Sequence, residues 1–80
     1  NIKKHGVDFS EAVTVFQDQL AAIFDDEDHA DEEYRELIIG YSNQKRLLSV
    51  SFTERDGTVR IISARKADSD EREAYEQAKR

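Results

Sequence analysis

The chain has 80 residues, 38% of them apolar, and a formal net charge of −6 at pH 7. A chain this short has room for one hydrophobic core, so a second domain is excluded and we expect residues 1–80 to form a single domain. The absence of cysteine excludes disulfides and thiolate metal sites, and no apolar run approaches the roughly 20 residues that cross a bilayer, which predicts a soluble protein.

The charge is distributed unevenly along the chain. Residues 25–36 contain eight acids and one base, a net charge of −7, whereas residues 45–66 contain six bases and two acids, a net charge of +4. The overall charge by itself favours a basic partner, but the basic segment alone could meet a phosphate backbone. We therefore expect a polarised molecule with a basic sheet and an acidic loop.

A capped amphipathic helix is predicted near the start of the chain. Asp8 is a suitable N-cap, and Glu11 follows at the third helical position, as in a capping box. The helix should run from Phe9 to about Asp18 and turn one apolar stripe towards the core. The stripe residues, at helical spacing, are Phe9, Ala12, Val13, Phe16 and Leu20.

The next segment changes from apolar to strongly acidic. We predict a short edge strand over Leu20–Phe24, followed by a solvated loop over Asp25–Glu33 that is too charged to bury. An alternative is a metal site, because carboxylates and imidazole are adequate ligands, although no defined loop signature supports it. The ligands of such a site would be Asp25, Asp28, His29 and Asp31.

Three further strands are predicted in the middle of the chain. Tyr34–Tyr41 is a strand, the polar loop 42–45 follows it, and Leu47–Ala67 forms a hairpin around the two-residue turn Asp56–Gly57. These loop lengths imply a register for each pair of strands. The expected pairs are Ile39 with Leu48, Leu37 with Val50, Leu48 with Arg65, Val50 with Ser63, Phe52 with Ile61 and Arg55 with Thr58.

That register predicts which side chains share a face of the hairpin. The apolar face would carry Leu48, Val50, Phe52, Val59 and Ile61, and the other face Thr53, Arg55, Arg60 and Lys66. Arg65, beside Leu48, would lie within reach of Arg46 and apart from Arg55 and Arg60. The register thus predicts two separated basic groups.

The last segment repeats the capping-box spacing with Asp68 and Glu71, which predicts a final helix from Ser69 to about Lys79. The predicted fold class is therefore α+β: an N-terminal helix packed on a three- to four-stranded antiparallel meander, followed by a C-terminal helix.

No familiar enzyme motif is present, but the arginines and two histidines suit one reaction class. Cleavage of RNA by its own 2′-hydroxyl needs a base, cations that stabilise charge on the phosphorus, and an acid for the leaving oxygen. It needs no cofactor, because the nucleophile belongs to the substrate. His5 could be the base or acid near neutral pH, although a loop role is as plausible. Each arginine could equally be a solvated strand residue, and Glu54 an ion-pair partner.

The order of several blocks resembles the BrnT toxins of bacterial type II toxin–antitoxin systems over nearly the whole chain. The blocks are specific together rather than singly. They are Lys4-His5-Gly6-Val7, Phe9, Glu11-Ala12, Val15-Phe16, Asp28-His29, Ile39-Gly40, Arg46, Thr53-Glu54-Arg55, Arg60-Ile61-Ile62-Ser63-Ala64-Arg65, Lys66-Ala67, Glu71 and Tyr75.

The resemblance implies a RelE-like ribonuclease domain that cleaves RNA in the cytoplasm without a metal ion and inhibits translation. It also implies a BrnA-type ribbon-helix-helix antitoxin that neutralises the toxin and carries the complex to operator DNA. By motif position the catalytic residues would be Lys4, His5, Arg55 and Arg65, with Arg46, Arg60, Glu54 and Lys66 binding substrate. Because the family begins with a short strand before its Lys-His-Gly block, we expect this chain to lack that strand.

A second function is compatible with the residues alone. A non-catalytic protein-interaction module would use the polarised surface to complement a partner. A metal-dependent nuclease that uses the acidic loop is a third possibility, and EDTA would inhibit it.

Overall fold

The order of the elements confirms the predicted α+β class. A computed structural model describes residues 7–26 and 35–78. Two helices flank one four-stranded antiparallel sheet in which the strands follow chain order. The elements are α1 (Phe9–Thr14), a 3₁₀ helix (Val15–Gln17), β1 (Ala22–Asp25), β2 (Glu36–Tyr41), β3 (Leu47–Arg55), β4 (Thr58–Lys66) and α2 (Ser69–Ala78).

Helix α1 begins where the capping pattern predicts. The Glu11 backbone N–H donates to Asp8 Oδ1 over 2.8 Å, and this bond is the main cause that lowers the pKa of Asp8. The α-helix gives way to the 3₁₀ turn after Thr14, and the tighter winding places Val15 in the core. The predicted stripe was therefore wrong at Val13 and Leu20, which are both more than half exposed.

The two helices lie on opposite faces of the sheet. Ile38 and Leu48 pack with residues of α1 in one cluster, whereas Ile39 and Leu47 pack with Tyr75 of α2 in another. Because neighbouring residues of a strand point to opposite faces, the two clusters lie on either side of the sheet. We call these sides the α1 face and the α2 face.

The predicted β1 is confirmed, but the predicted register between β2 and β3 was wrong by one residue. Ile38 pairs with Val50 and Gly40 with Leu48. The cause is the connection: Ser42 N–H donates to the Arg46 carbonyl over 2.9 Å, and Lys45 has φ 65°. This loop holds three residues between its closing pair, not the four expected.

The β3–β4 turn forms as predicted, but the register changes farther along. Asp56 and Gly57 both have positive φ, 55° and 80°, as a two-residue hairpin turn requires. Phe52 pairs with Ile61 as expected, but Ser51 pairs with Ser63, so a β-bulge lies between these pairs. The predicted pairs Val50–Ser63 and Leu48–Arg65 were therefore wrong; the structure has Val50–Ala64 and Leu48–Lys66.

Helix α2 carries the full capping box. The Glu71 N–H donates to Asp68 Oδ1 over 2.8 Å, and the Asp68 N–H donates to Glu71 Oε1 over 3.0 Å. The predicted start at Ser69 is confirmed. Within residues 7–26 and 35–78, no helix has the length and apolar character that crossing a bilayer requires.

Gly40 on β2 lets the 3₁₀ turn approach the sheet. A Cβ atom there would lie 2.9 Å from Ala21 Cβ and 3.1 Å from Val15 Cγ1, closer than packed carbon atoms tolerate. We expect Gly40→Ala to lower the free energy of unfolding by about 1–3 kcal/mol, as overpacking does. Urea denaturation would measure this. A variant as stable as the parent would show that the close approach is not maintained in solution.

Candidate functional site

The bulge on β4 brings three arginines to one face of the sheet. Arg60 pairs with Thr53, Arg65 with Ser49, and Arg55 with Thr58. Thr53, Ser49 and Arg55 alternate along β3 on the α2 face, so all three arginines belong to that face. The prediction that Arg65 lies on the face opposite Arg55 and Arg60 was wrong, because the extra residue of a bulge turns every later side chain to the other face.

Two of these arginines meet at the turn end of the hairpin. Arg55 and Arg60 are diagonal neighbours across the ladder, which places their Cβ atoms about 7 Å apart. Both side chains are exposed. They line an open hollow of about 400 Å³ together with Thr53, Asp56 and Thr58. No acid among the described residues forms an ion pair with either guanidinium.

Arg65 lies on the same face but is bound by the chain itself. Its guanidinium donates to both oxygens of Glu71, over 2.7 and 2.6 Å. Ser49 Oγ also donates to Glu71, over 3.2 Å. The hydrogen bonds to Glu71 are the main cause that raises the pKa of Arg65. This arginine therefore joins β4 to α2, and its guanidinium group already has a carboxylate partner.

Arg46 is held in the same way on the opposite side of the sheet. Its Nε donates to Glu11 Oε2 over 3.0 Å, and its Nη2 forms an ion pair with Glu11 Oε1. Ser42 Oγ donates to the same carboxylate over 2.6 Å. Glu11 is buried, and the Arg46 hydrogen bonds lower its pKa despite that burial. Arg46 and Arg65 are therefore held by different carboxylates, Glu11 of α1 and Glu71 of α2.

Two further predicted substrate-binding residues, Lys66 and Glu54, lie on the α1 face. Lys66 pairs with Leu48 and Glu54 with Val59, and both pairs belong to the α1 face. The placement of Lys66 beside Arg55 and Arg60 was therefore wrong, and the bulge is again the reason. Glu54 and Arg55, although neighbours in sequence, point to opposite faces.

Several predicted residues lie outside the described part of the chain. They include Lys4 and His5 of the predicted catalytic set and, for the alternative metal site, Asp28, His29 and Asp31. The predicted acidic loop is likewise mostly outside it, although Asp25 belongs to β1. Among residues 7–26 and 35–78, no group of three or more candidate ligands could hold a metal ion.

Tyr75 is a core residue. Its ring is 2% exposed, and its hydroxyl donates to Asp18 Oδ2 over 2.9 Å. Burial, followed by the carboxylate, raises the pKa of Tyr75 to about 12. The phenol therefore stays protonated at neutral pH and serves to anchor α2.

The carboxylates that hold Arg46 and Arg65 are the residues that the sequence reasoning missed. Glu11 and Glu71 each occupy the third position of a predicted capping box. Their spacing explained them fully as helix-capping residues, so no second partner was expected. The available signal was chemical: an acid next to an apolar stripe and buried with it needs a cation.

The turn-end hollow has the chemistry of an anion site. Guanidinium groups match phosphate oxygens with paired donors and stay charged at any physiological pH. Two threonine hydroxyls beside them add donors, and the carboxylate of Asp56 is the one acid among the described lining residues. The hollow is open to solvent, so an extended polyanion can enter it. These features suit an anionic ligand such as a phosphodiester.

Comparison with known protein families gives a match over residues 1–71. The matching family model is described as the ribonuclease toxin, BrnT, of type II toxin–antitoxin systems. The matched range contains α1, all four strands and the first turn of α2. No individually curated protein matches the chain.

Proposed function

The chain belongs to the BrnT family of ribonuclease toxins, and we propose that it cleaves RNA, without a metal ion, at the turn end of the β3–β4 hairpin. The observation that carries this proposal is the placement of Arg55 and Arg60 in one open hollow. Neither has an ionic partner among the described residues. Two charged guanidinium groups already face solvent where a phosphodiester can reach them.

In the proposed reaction the 2′-oxygen of the substrate attacks the adjacent phosphorus. The bond from phosphorus to the 5′-oxygen then breaks, leaving a 2′,3′-cyclic phosphate and a 5′-hydroxyl. Arg55 and Arg60 bind the non-bridging oxygens and stabilise their growing charge. His5 takes the proton from the 2′-hydroxyl or supplies one to the leaving oxygen, and water accepts or supplies the other proton. Lys4, the neighbour of His5 in the sequence, adds positive charge. Arg65 contributes indirectly, through the surface that it forms with Glu71.

The biological setting is part of the same proposal. RNA cleavage in the cytoplasm would inhibit translation, and a BrnA-type antitoxin would cover the α2 face. By neutralising the arginines, the antitoxin would then exclude RNA from this face. Operator DNA would be bound only by the antitoxin part of the complex, because this chain has a net negative charge and opposes duplex DNA outside its basic segment.

Incubation of the purified protein with a defined single-stranded RNA tests this proposal. We expect cleavage that persists in excess EDTA, products ending in 2′,3′-cyclic phosphate, and no cleavage of the same strand made with 2′-deoxyribose. Loss of cleavage in EDTA would favour a metal-dependent nuclease instead. Intact RNA after incubation with a folded sample would favour the non-catalytic interaction module.

A further inference from the structure

A second basic hollow lies at the other end of the sheet, and the proposed chemistry does not use it. It has a volume of about 390 Å³ and forms where the β2–β3 loop, the end of β4 and the start of α2 meet. Four cations surround it, and we call them the basic rim. The rim consists of Lys45, Arg46, Lys66 and Arg72, and the floor of Tyr41, Leu47 and Ala67.

Three of the four rim cations are available to a ligand. No acid among the described residues forms an ion pair with Lys45, Lys66 or Arg72, and all three side chains are exposed. Arg46 is bound to Glu11. Two of the nearby acids of α2 already have partners, because Asp68 caps α2 and Glu71 binds Arg65. Among the described residues that line the hollow, four are cations and none is acidic.

An aromatic ring completes the site. Tyr41 is 37% exposed, and its ring packs edge-to-face against that of Tyr75 with centroids 5.5 Å apart. Its backbone N–H donates to Asp18 Oδ2 over 2.9 Å, so both ring and backbone are held in place. An exposed, supported aromatic ring among cations is the arrangement that binds single-stranded nucleic acid, with bases stacked on the ring and phosphates on the cations.

The basic rim and the turn-end hollow lie on one line along the β3–β4 hairpin. Lys66 pairs with Leu48, and Thr58 pairs with Arg55. Leu48 and Arg55 are seven positions apart, a distance of roughly 23 Å at about 3.3 Å per residue. Strand β4 is an edge of the described sheet. Along it Arg60 is exposed on the α2 face and Lys66 on the α1 face, so a bound strand would follow the edge itself. A single strand of about four or more nucleotides would reach from one site to the other.

We propose that the basic rim is a second RNA subsite, which binds the phosphates and one base of a single-stranded substrate several nucleotides from the cleaved linkage. The proposal rests on the ribonuclease function proposed above. Its consequence is a preference for unpaired RNA long enough to occupy both ends of the hairpin. A protein partner fits the rim less well, because the hollow is small and joins charge to one stacking surface.

Equilibrium binding of an uncleavable strand tests the subsite separately from catalysis. The probe is a fluorescently labelled 12-nucleotide 2′-O-methyl RNA, titrated by anisotropy at several salt concentrations. In the double variant Lys45→Asn/Arg72→Gln, asparagine suits the positive φ of residue 45. We expect about tenfold weaker binding near 0.1 M salt. The slope of log K against log salt should fall by about 1.4, or 0.7 for each lost cation.

Two comparisons make the result specific. Val13→Glu/Ile23→Glu changes the net charge by the same amount at exposed positions of α1 and β1, and should change affinity less than twofold. Tyr41→Leu removes the stacking surface without changing charge. It should weaken binding about tenfold with an unchanged salt slope. Thermal melting by circular dichroism would show that each variant is folded.

The outcomes separate this proposal from the proposed cleavage. Rim variants that bind the strand as the charge-matched control does would overturn the subsite, even if the parent protein cleaves RNA. Rim variants that lose affinity only for a purified antitoxin would overturn it too, because the surface would then belong to a protein partner. Rim-dependent binding by a protein that cleaves nothing would support the subsite and contradict the proposed cleavage.

Discussion

Simultaneous replacement of Arg55 and Arg60 by alanine is expected to reduce RNA cleavage by at least about 100-fold. Loss of a single preorganised donor to a developing oxyanion commonly costs 10²–10³ in rate, and this variant removes both cations of the turn-end hollow. The melting temperature should change little, because both side chains are exposed and form no ion pair with a described residue. Initial cleavage rates of a defined RNA, together with thermal melting, would measure the two effects.

Arg65→Ala is the matched comparison for the melting temperature, since it also removes an arginine from the α2 face. Arg65 donates to both oxygens of Glu71, whose side chain is 13% exposed, so its loss leaves a largely buried carboxylate without its cation. We expect a lower melting temperature in this variant, in contrast to the double variant. If the Arg55→Ala/Arg60→Ala variant cleaves RNA at the parent rate, the turn-end hollow is not the catalytic site.

Arg46→Leu is expected to lower the melting temperature by about 10 °C at neutral pH. The buried carboxylate of Glu11 would keep only the Ser42 hydroxyl as a side-chain partner among those described here. Removal of one member of a buried pair destabilises strongly because the remaining charge is uncompensated. Glu11→Gln in the same chain should recover much of the loss, because the amide oxygen can still accept from Ser42 and no charge is buried. No recovery would show that Arg46 acts through its own packing.

The effect of Arg46→Leu should depend on pH in a definite direction. The hydrogen bonds from Arg46 lower the pKa of Glu11 below its ordinary value of 4.5. A lowered folded-state pKa contributes stability that is fully present above the unfolded-state pKa and is lost as the pH falls through the folded-state pKa. The difference in melting temperature between parent and variant should therefore be largest above about pH 4.5 and shrink below it. A difference that grows on acidification would contradict the buried ion pair.

Local patterns were sufficient to predict most of the fold. The capping residues Asp8 and Asp68 mark both helix starts, and the Asp56–Gly57 turn forms as expected. These features depend on a few neighbouring residues, so the chain alone specifies them. The errors are one-residue errors: a three-residue loop in place of four, and a bulge in β4. Neither has a composition signal that distinguishes it from regular pairing.

These one-residue differences determine which residues belong to the candidate site. Because strand side chains alternate, one bulge residue turned Arg65 onto the face of Arg55 and Arg60 and turned Lys66 away from it. The sequence singled out arginines as candidates for an RNA-directed site. It did not indicate that Glu11 and Glu71 form ion pairs with two of these arginines, Arg46 and Arg65.

The sequence by itself determined the α+β class, the helix starts, the tight turn and the family, because short-range patterns and the order of motifs carry them. Only the tertiary structure decided which arginines share a face and which are bound by carboxylates distant in the chain. The physical reason is that both depend on strand register and long-range packing, where a shift of one residue reverses the direction of a side chain.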